Sequence, residues 1–401
     1  MLYFLALGVL ILFVAWLVYT TMQDNKQQIR SIRPSDLGKV LIRHVQYLLI
    51  LCGIGLPWPA SIVHMRNVMS WFFVGATTQV FSVDCVLQYA HSYVPLAVQN
   101  VLVRLATPAV VLLAVLLLRM VYRIARTCSC TVTSKGEMVV SSLVVLFLLF
   151  PLLVQTSLNM FACIHVDNPH SKAGPYPQYA VANASRGYWV WDVQQACWEG
   201  WHLSWGLGLG LPCFLLFCVL VPGAMFFVLH HKRAAMGEPE DNHVGFLYHC
   251  LTPERYYWEV VASLQTIILV VVSTFSFVVG PLHATILMQV CFAGILAMQY
   301  IFKPFAFVQV QRMQVASSMC LLLTATIGLT TFDGGTVAIP EAYKVVVGVL
   351  GLLVNLAFMC CCAWMTATVD KAVWTAWAKV AWEWCVGMVS QKRRVGRGRG
   401  V

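Results

Sequence analysis

Residues 257–301 read YWEVVASLQTIILVVVSTFSFVVGPLHATILMQVCFAGILAMQYI. Two apolar runs flank a Gly280-Pro281 break, and Glu259 is the only Asp, Glu, Lys or Arg in the stretch. A bilayer core about 30 Å thick is crossed by roughly 20 helical residues. The pattern predicts spans over 257–279 and 284–301, held antiparallel by so short a connection. Outward from this hairpin, comparable runs fall at 2–21, 46–63, 101–122, 138–160, 203–229, 314–332 and 345–365. The expectation is nine transmembrane helices.

Composition agrees. Of 401 residues, 60% are hydrophobic and 10% charged, where an ordinary soluble domain carries about 25% charged residues. Mean hydropathy is +0.76. A water-soluble globule of this size cannot hide so much apolar surface, and disorder needs the opposite composition. The fold class is therefore all-α, a polytopic helical membrane protein. Its organisation reads as an N-terminal anchor (1–22), a basic cytoplasmic linker (23–45), a multi-span membrane domain (46–365) and a cytoplasmic tail (366–401).

Charge sets the orientation. There are 26 Lys and Arg against 16 Asp and Glu. With the N-terminus outside and nine crossings, 20 of the 26 fall in cytoplasmic loops and the tail, and Arg119 lies near the inner end of its span. Only Arg66, Arg104, Lys172, Arg186 and Lys344 fall on the outer side. That asymmetry matches the positive-inside rule, with the C-terminus inside. A further crossing at 68–83 would invert everything downstream, so that stretch is placed at the outer surface or as a partly inserted segment.

The longest outer loop, 161–202, carries Asn183-Ala184-Ser185, a sequon that makes Asn183 a candidate glycosylation site. Its end is crowded with Trp189, Trp191, Trp198, Trp201 and Trp205, which suits the headgroup layer. Three of the 15 cysteines lie outside, namely Cys85, Cys163 and Cys197. At most one internal disulfide forms among them; Cys163–Cys197 would staple the long loop, although spacing alone does not fix the pairing.

Polar residues inside the spans are few. Gln265, Gln289 and Gln299 lie on the 257–301 hairpin, and Glu259 sits near its inner end, four residues after Arg255. Buried amides between helices usually act as glue, but they also line narrow hydrated paths. These four residues form the candidate permeation path. Enzyme chemistry has no foothold: there is no HExxH, no local Ser-His-Asp motif and no metal-ligand spacing, so no catalytic residue, metal or cofactor is expected.

In the tail, Trp374, Trp377 and Trp384 recur at helical spacing ahead of Lys392-Arg393-Arg394. An aromatic face followed by positive charge suits a helix lying on the inner leaflet with its basic end on anionic lipid. The Arg-Gly ending next to a membrane favours lipid over nucleic acid.

Several motifs resemble one family. They are Leu49 to Val63 with Pro57-Trp58-Pro59, Ser82-Val83-Asp84-Cys85, the run Trp205 to Pro212, and Gly245 to Tyr248. Pro253-Glu254-Arg255-Tyr256-Tyr257-Trp258-Glu259, Gln299 with Lys303-Pro304-Phe305, and Ile339-Pro340 complete the set. Over roughly residues 40 to 365 the chain resembles the transient receptor potential (TRP)-like channel module at the C-terminal end of large green-algal surface proteins. That resemblance implies a cation channel subunit in a plasma or ciliary membrane, with cations, the bilayer and further copies of itself as partners. In that family a long extracellular region usually precedes the module; here Met1 sits directly on the first span, which leaves a short relative or a piece of a larger surface protein. The alternatives are a non-conducting anchor or scaffold for a surface complex, and a lipid or small-solute transporter. A conducting protein needs a polar stripe along at least one helix pair, whereas an anchor is apolar all round.

Overall fold

The computed structural model describes residues 2–26, 32–70, 94–127, 135–164, 187–232, 245–332 and 339–369. Asn183, Cys85 and the tail residues Trp374, Trp377, Trp384, Lys392, Arg393 and Arg394 lie outside the described residues. Among the described residues there are ten principal helices. They are α1 (Leu2–Lys26), α2 (Pro34–Cys52), α3 (Ala60–Ser70), α4 (Leu96–Thr127), α5 (Lys135–Asn159), α6 (200–232), α7 (Trp258–Thr274), α8 (Pro281–Phe302), α9 (Val308–Thr330) and α10 (Glu341–Val369). Within α6 two stretches, Gly206–Gly210 and Leu215–Leu220, wind as π-helix.

Seven of these, α1, α4, α5, α6, α8, α9 and α10, are long and apolar enough to cross a membrane, and α7 is apolar but shorter. Large apolar side chains such as Leu113, Leu220, Phe227, Val290 and Ile301 face outward, as a lipid-exposed surface requires. The chain is an all-α, multi-pass membrane protein.

The stretch 46–63 is not one helix. Pro34 opens α2 twelve residues earlier, at a position where its missing N–H costs nothing. The Asp36 carboxylate accepts the Arg33 backbone N–H at 3.2 Å and closes that end. Gly53, Gly55, Pro57 and Pro59 then stop the helix, and α3 resumes after the elbow. Arg66 on α3 donates to the Cys52 carbonyl at 3.3 Å, satisfying one orphan acceptor at the end of α2. Much of the expected cytoplasmic linker is thus packed helix, with Asp36, Lys39, Arg43 and His44 all buried. The 1–22 segment is likewise part of the bundle: Leu10, Val14 and Leu17 sit in its largest apolar cluster.

Lipid tails are as apolar as leucine, so close packing rather than the hydrophobic effect must hold such helices together. The elbow shows how. A Cβ on Gly328 of α9 would lie 2.6 Å from the Trp58 ring, and one on Gly348 of α10 would overlap Pro59. Two helices therefore lack a side chain where Trp58 and Pro59 are seated.

Helix α2 is the hub, touching α1, α3, α7, α9 and α10. At one end of the bundle the connections gather. Thr252 N–H donates to the Pro304 carbonyl and Ala306 N–H to the Cys250 carbonyl, each at 2.9 Å. His249 Nδ1 lies 3.0 Å from Asp36 Oδ2. Burial pushes the Asp36 carboxyl up, but His249, Lys39 and the Arg33 N–H together hold it below its ordinary value.

Beyond α5 a small knob forms from three antiparallel strands, β1 (Cys163–Ile164), β2 (Tyr188–Trp189) and β3 (Asp192–Ala196). A disulfide joins Cys163 to Cys197. Trp189 is fully buried and donates through Nε1 to the Asn159 carbonyl at 2.8 Å. Trp201 meets it edge-on at 5.7 Å. The aromatics pack on one another and on the end of α5.

Candidate functional site

Helix α2 brings Arg43, His44 and Gln46 into the bundle interior, and each pairs with residues far away in sequence. Arg43 Nη2 and Glu259 Oε1 form an ion pair at 2.5 Å between α2 and α7, with side chains 8% and 5% exposed. The Phe147 ring lies beside the guanidinium, 5.5 Å from its centroid. Glu259 does not pair with Arg255 as its spacing suggested. Arg255 sits in a 3₁₀ turn, donates to the Tyr257 hydroxyl at 3.2 Å and stacks over Phe302. The i, i+4 relation requires both residues on one α-helix, and α7 begins only at Trp258.

One residue further along α2, His44 is wholly buried against the Phe358 ring. Its Nδ1 lies 3.0 Å from Ser317 Oγ and its Nε2 3.2 Å from Asn355 Oδ1. Chemistry fixes the tautomer. Asn355 Nδ2 donates to the Gly351 carbonyl at 2.8 Å and to Thr324 Oγ1 at 2.9 Å. Its Oδ1, an acceptor only, therefore faces His44, so Nε2 carries the proton and Nδ1 accepts the Ser317 hydroxyl. Thr324 passes the chain on to the Cys320 carbonyl at 2.8 Å. Ser317, His44, Asn355 and Thr324 thus form one directed series of hydrogen bonds across α9, α2 and α10.

Helix α9 carries further polar groups on its inner side. Gln299 of α8 accepts the Ser318 hydroxyl on its side chain at 3.0 Å and the Gln311 amide on its backbone carbonyl at 2.7 Å. Gln314 is buried, and its Oε1 has no hydrogen-bond partner among the described residues. The same holds for Gln265 Nε2 on α7.

The four residues expected to form one path do not share a face. Glu259 is paired with Arg43 and Gln299 packs against α9, while Gln265 is buried with a free amide nitrogen. Gln289 lies toward the outer surface of the α8–α9 pair, bonded to the exposed Thr326 at 2.9 Å. What the sequence reading missed is Arg43 and His44, assigned to a cytoplasmic linker because charge interrupts an apolar run. The signal that places them is Pro34-Ser35-Asp36, a helix-start pattern twelve residues ahead of the apolar run.

No group of three or more metal-binding side chains occurs among the described residues. Comparison with protein-family models, curated proteins and solved structures finds no match to this chain.

Proposed function

We propose that the protein conducts cations across its membrane as a TRP-like channel subunit. The observation carrying this reading is the burial of Arg43, His44 and Glu259 inside a bundle of apolar helices. Ionisable groups are costly there and, when present, tend to mark ion paths or relays. An anchor needs none of them. The polar side of α9, with Gln311, Gln314, Ser317, Ser318 and Thr324, supplies the stripe that an apolar anchor lacks.

The topology proposed with it has nine crossings, the seven apolar helices plus α7 and α2, with the N-terminus outside and the C-terminus inside. Charge asymmetry supports that orientation. On it, the end bearing His249, Pro304 and Asp36 is cytoplasmic, and the disulfide knob and Asn183 are extracellular. Under this reading the Trp-rich tail rests on anionic lipid, and the protein resides in a plasma or ciliary membrane.

Purified protein in liposomes loaded with an ion-sensitive dye tests conduction. Cation flux above that of empty vesicles is expected. Absence of flux across potential, temperature and osmotic stimuli returns the anchor reading.

A further inference from the structure

Two cavities lie end to end between α2, α5 and α7. The inner one has Arg43, Gln46, Glu259, Ser263 and Thr266 as the polar part of a wall otherwise made of apolar residues, chiefly from α5 and α6. The outer one is walled by Gly53, Gln155 and Ser273. Gln46 and Pro151 border both. Each cavity has room for a few water molecules and several groups to hold them, the conditions under which a buried cavity is wet rather than dry.

The waist between them has a specific construction. Pro151 has no N–H, so the Phe147 carbonyl has no donor four residues on within α5. Gln46 supplies the missing bond from α2: its Nε2 donates to the carbonyls of Phe147 at 3.1 Å and Leu148 at 3.0 Å. The amide is fixed across the crevice by a defect that the proline creates. At the outer cavity, Ser273 donates to the Ile50 carbonyl at 2.9 Å. A Cβ on Gly53 would come within 3.1 Å of that hydroxyl, so the glycine keeps the cavity open there.

We infer that water enters the bundle from both faces along the α2–α5–α7 crevice, and that the Gln46 amide, clamped to the Phe147 and Leu148 carbonyls, keeps the two water columns apart. The inner column reaches the Arg43–Glu259 pair, and the outer column reaches Ser273 and Gln155. The water-filled crevice stands on geometry alone. Its use as an ion route, with Gln46 as the barrier, rests on the conduction proposed above.

Silver ion, a thiol-reactive cation close to water in size, tests this in the full-length protein. Ser263→Cys and Ser273→Cys are reconstituted separately in sealed vesicles, and silver is added to one side. Each thiol is then read by mass spectrometry, with unsubstituted protein setting the background of native cysteines. The expected result is that Ser263→Cys is blocked from the inner side and Ser273→Cys from the outer. Gln46→Ala should abolish that sidedness. Pro151→Ala gives the Phe147 carbonyl a donor within α5 and so frees Gln46, and it should weaken the sidedness in a well-folded protein. Thiols unreactive from either face overturn the crevice. Equal reaction from both faces with Gln46 in place, or sidedness surviving Pro151→Ala and Gln46→Ala, overturns the barrier. The readout needs no ion flux, so a non-conducting protein with sided thiols refutes conduction alone.

Discussion

Arg43 and Glu259 lie 216 residues apart in sequence, yet their side chains meet at 2.5 Å between the hub helix α2 and α7. Removing one partner leaves the other charged and buried, which typically costs about 3–5 kcal/mol, whereas replacing both with apolar groups is often neutral. Glu259→Gln should therefore lower the thermal midpoint in detergent far more than the double change Arg43→Met with Glu259→Leu. A single variant as stable as the wild type would show that the pair is not closed in the folded protein.

Asn355 makes the second prediction. It accepts from His44 and donates to Thr324 and the Gly351 carbonyl, so Asn355→Ala leaves the buried His44 Nε2–H without an acceptor. A buried donor or acceptor left without a partner costs about 1–3 kcal/mol. Thermal unfolding should show a loss in that range.

Gln289 gives the contrasting case. Its amide bonds to Thr326 near the bundle surface, and intramembrane hydrogen bonds of this kind average about 0.6 kcal/mol. Gln289→Leu should change stability by no more than that and leave liposome flux intact. A large fall in flux would place the route along α8 rather than α2.

The disulfide closes a loop spanning 34 residues, and chain-entropy arguments give a closure of that length about 3–4 kcal/mol. Non-reducing peptide mapping should recover the linked Cys163 and Cys197 peptides, and reduction should expose the knob to proteolysis before the helices unfold. Two free thiols in freshly alkylated membranes would count against the linkage.

Acid tests the junction at the other end. Because Asp36 is held below its ordinary value of 3.8 on folding, its stabilisation is fully present above that pH. It is lost as pH falls through the lower folded value. The stability gap between wild type and Asp36→Asn should shrink as pH falls below 3.8. A gap independent of pH would mean the carboxylate is not the group that matters.

The apolar helices were legible because the bilayer imposes a length that hydropathy reports directly, as at 281–302. Two outer cysteines on the longest loop made the disulfide a natural expectation. Two things were not legible. Pro34-Ser35-Asp36 marks the helix that carries Arg43, but no local pattern records a partner as distant as Glu259. Helix facing was the other. Gln289 and Gln299 lie ten residues apart, which at about 100° per residue leaves them roughly 80° apart around α8. Gln299 turns to Ser318 inside the bundle and Gln289 to the exposed Thr326, a split that hydropathy does not report.

Helix α6 carries a mechanical consequence. Its top is fastened: the disulfide ties Cys197 to Cys163, His202 Nε2 meets the Met160 carbonyl at 3.2 Å, and a Cβ on Gly210 would sit 2.9 Å from Met160. Along its middle the helix is mostly exposed, with only 11% of the apolar stretch within Gly200–His231 buried. Its far end is held again: Leu229 is fully buried in the largest apolar cluster, and His230 Nδ1 lies 2.9 Å from the Tyr256 hydroxyl. A rod fastened at both ends and open between them takes its position from its anchors. Val221 and Met225, which close the side of the inner cavity, sit on the open stretch, so the wall beside Arg43 and Glu259 is placed by contacts made elsewhere on α6.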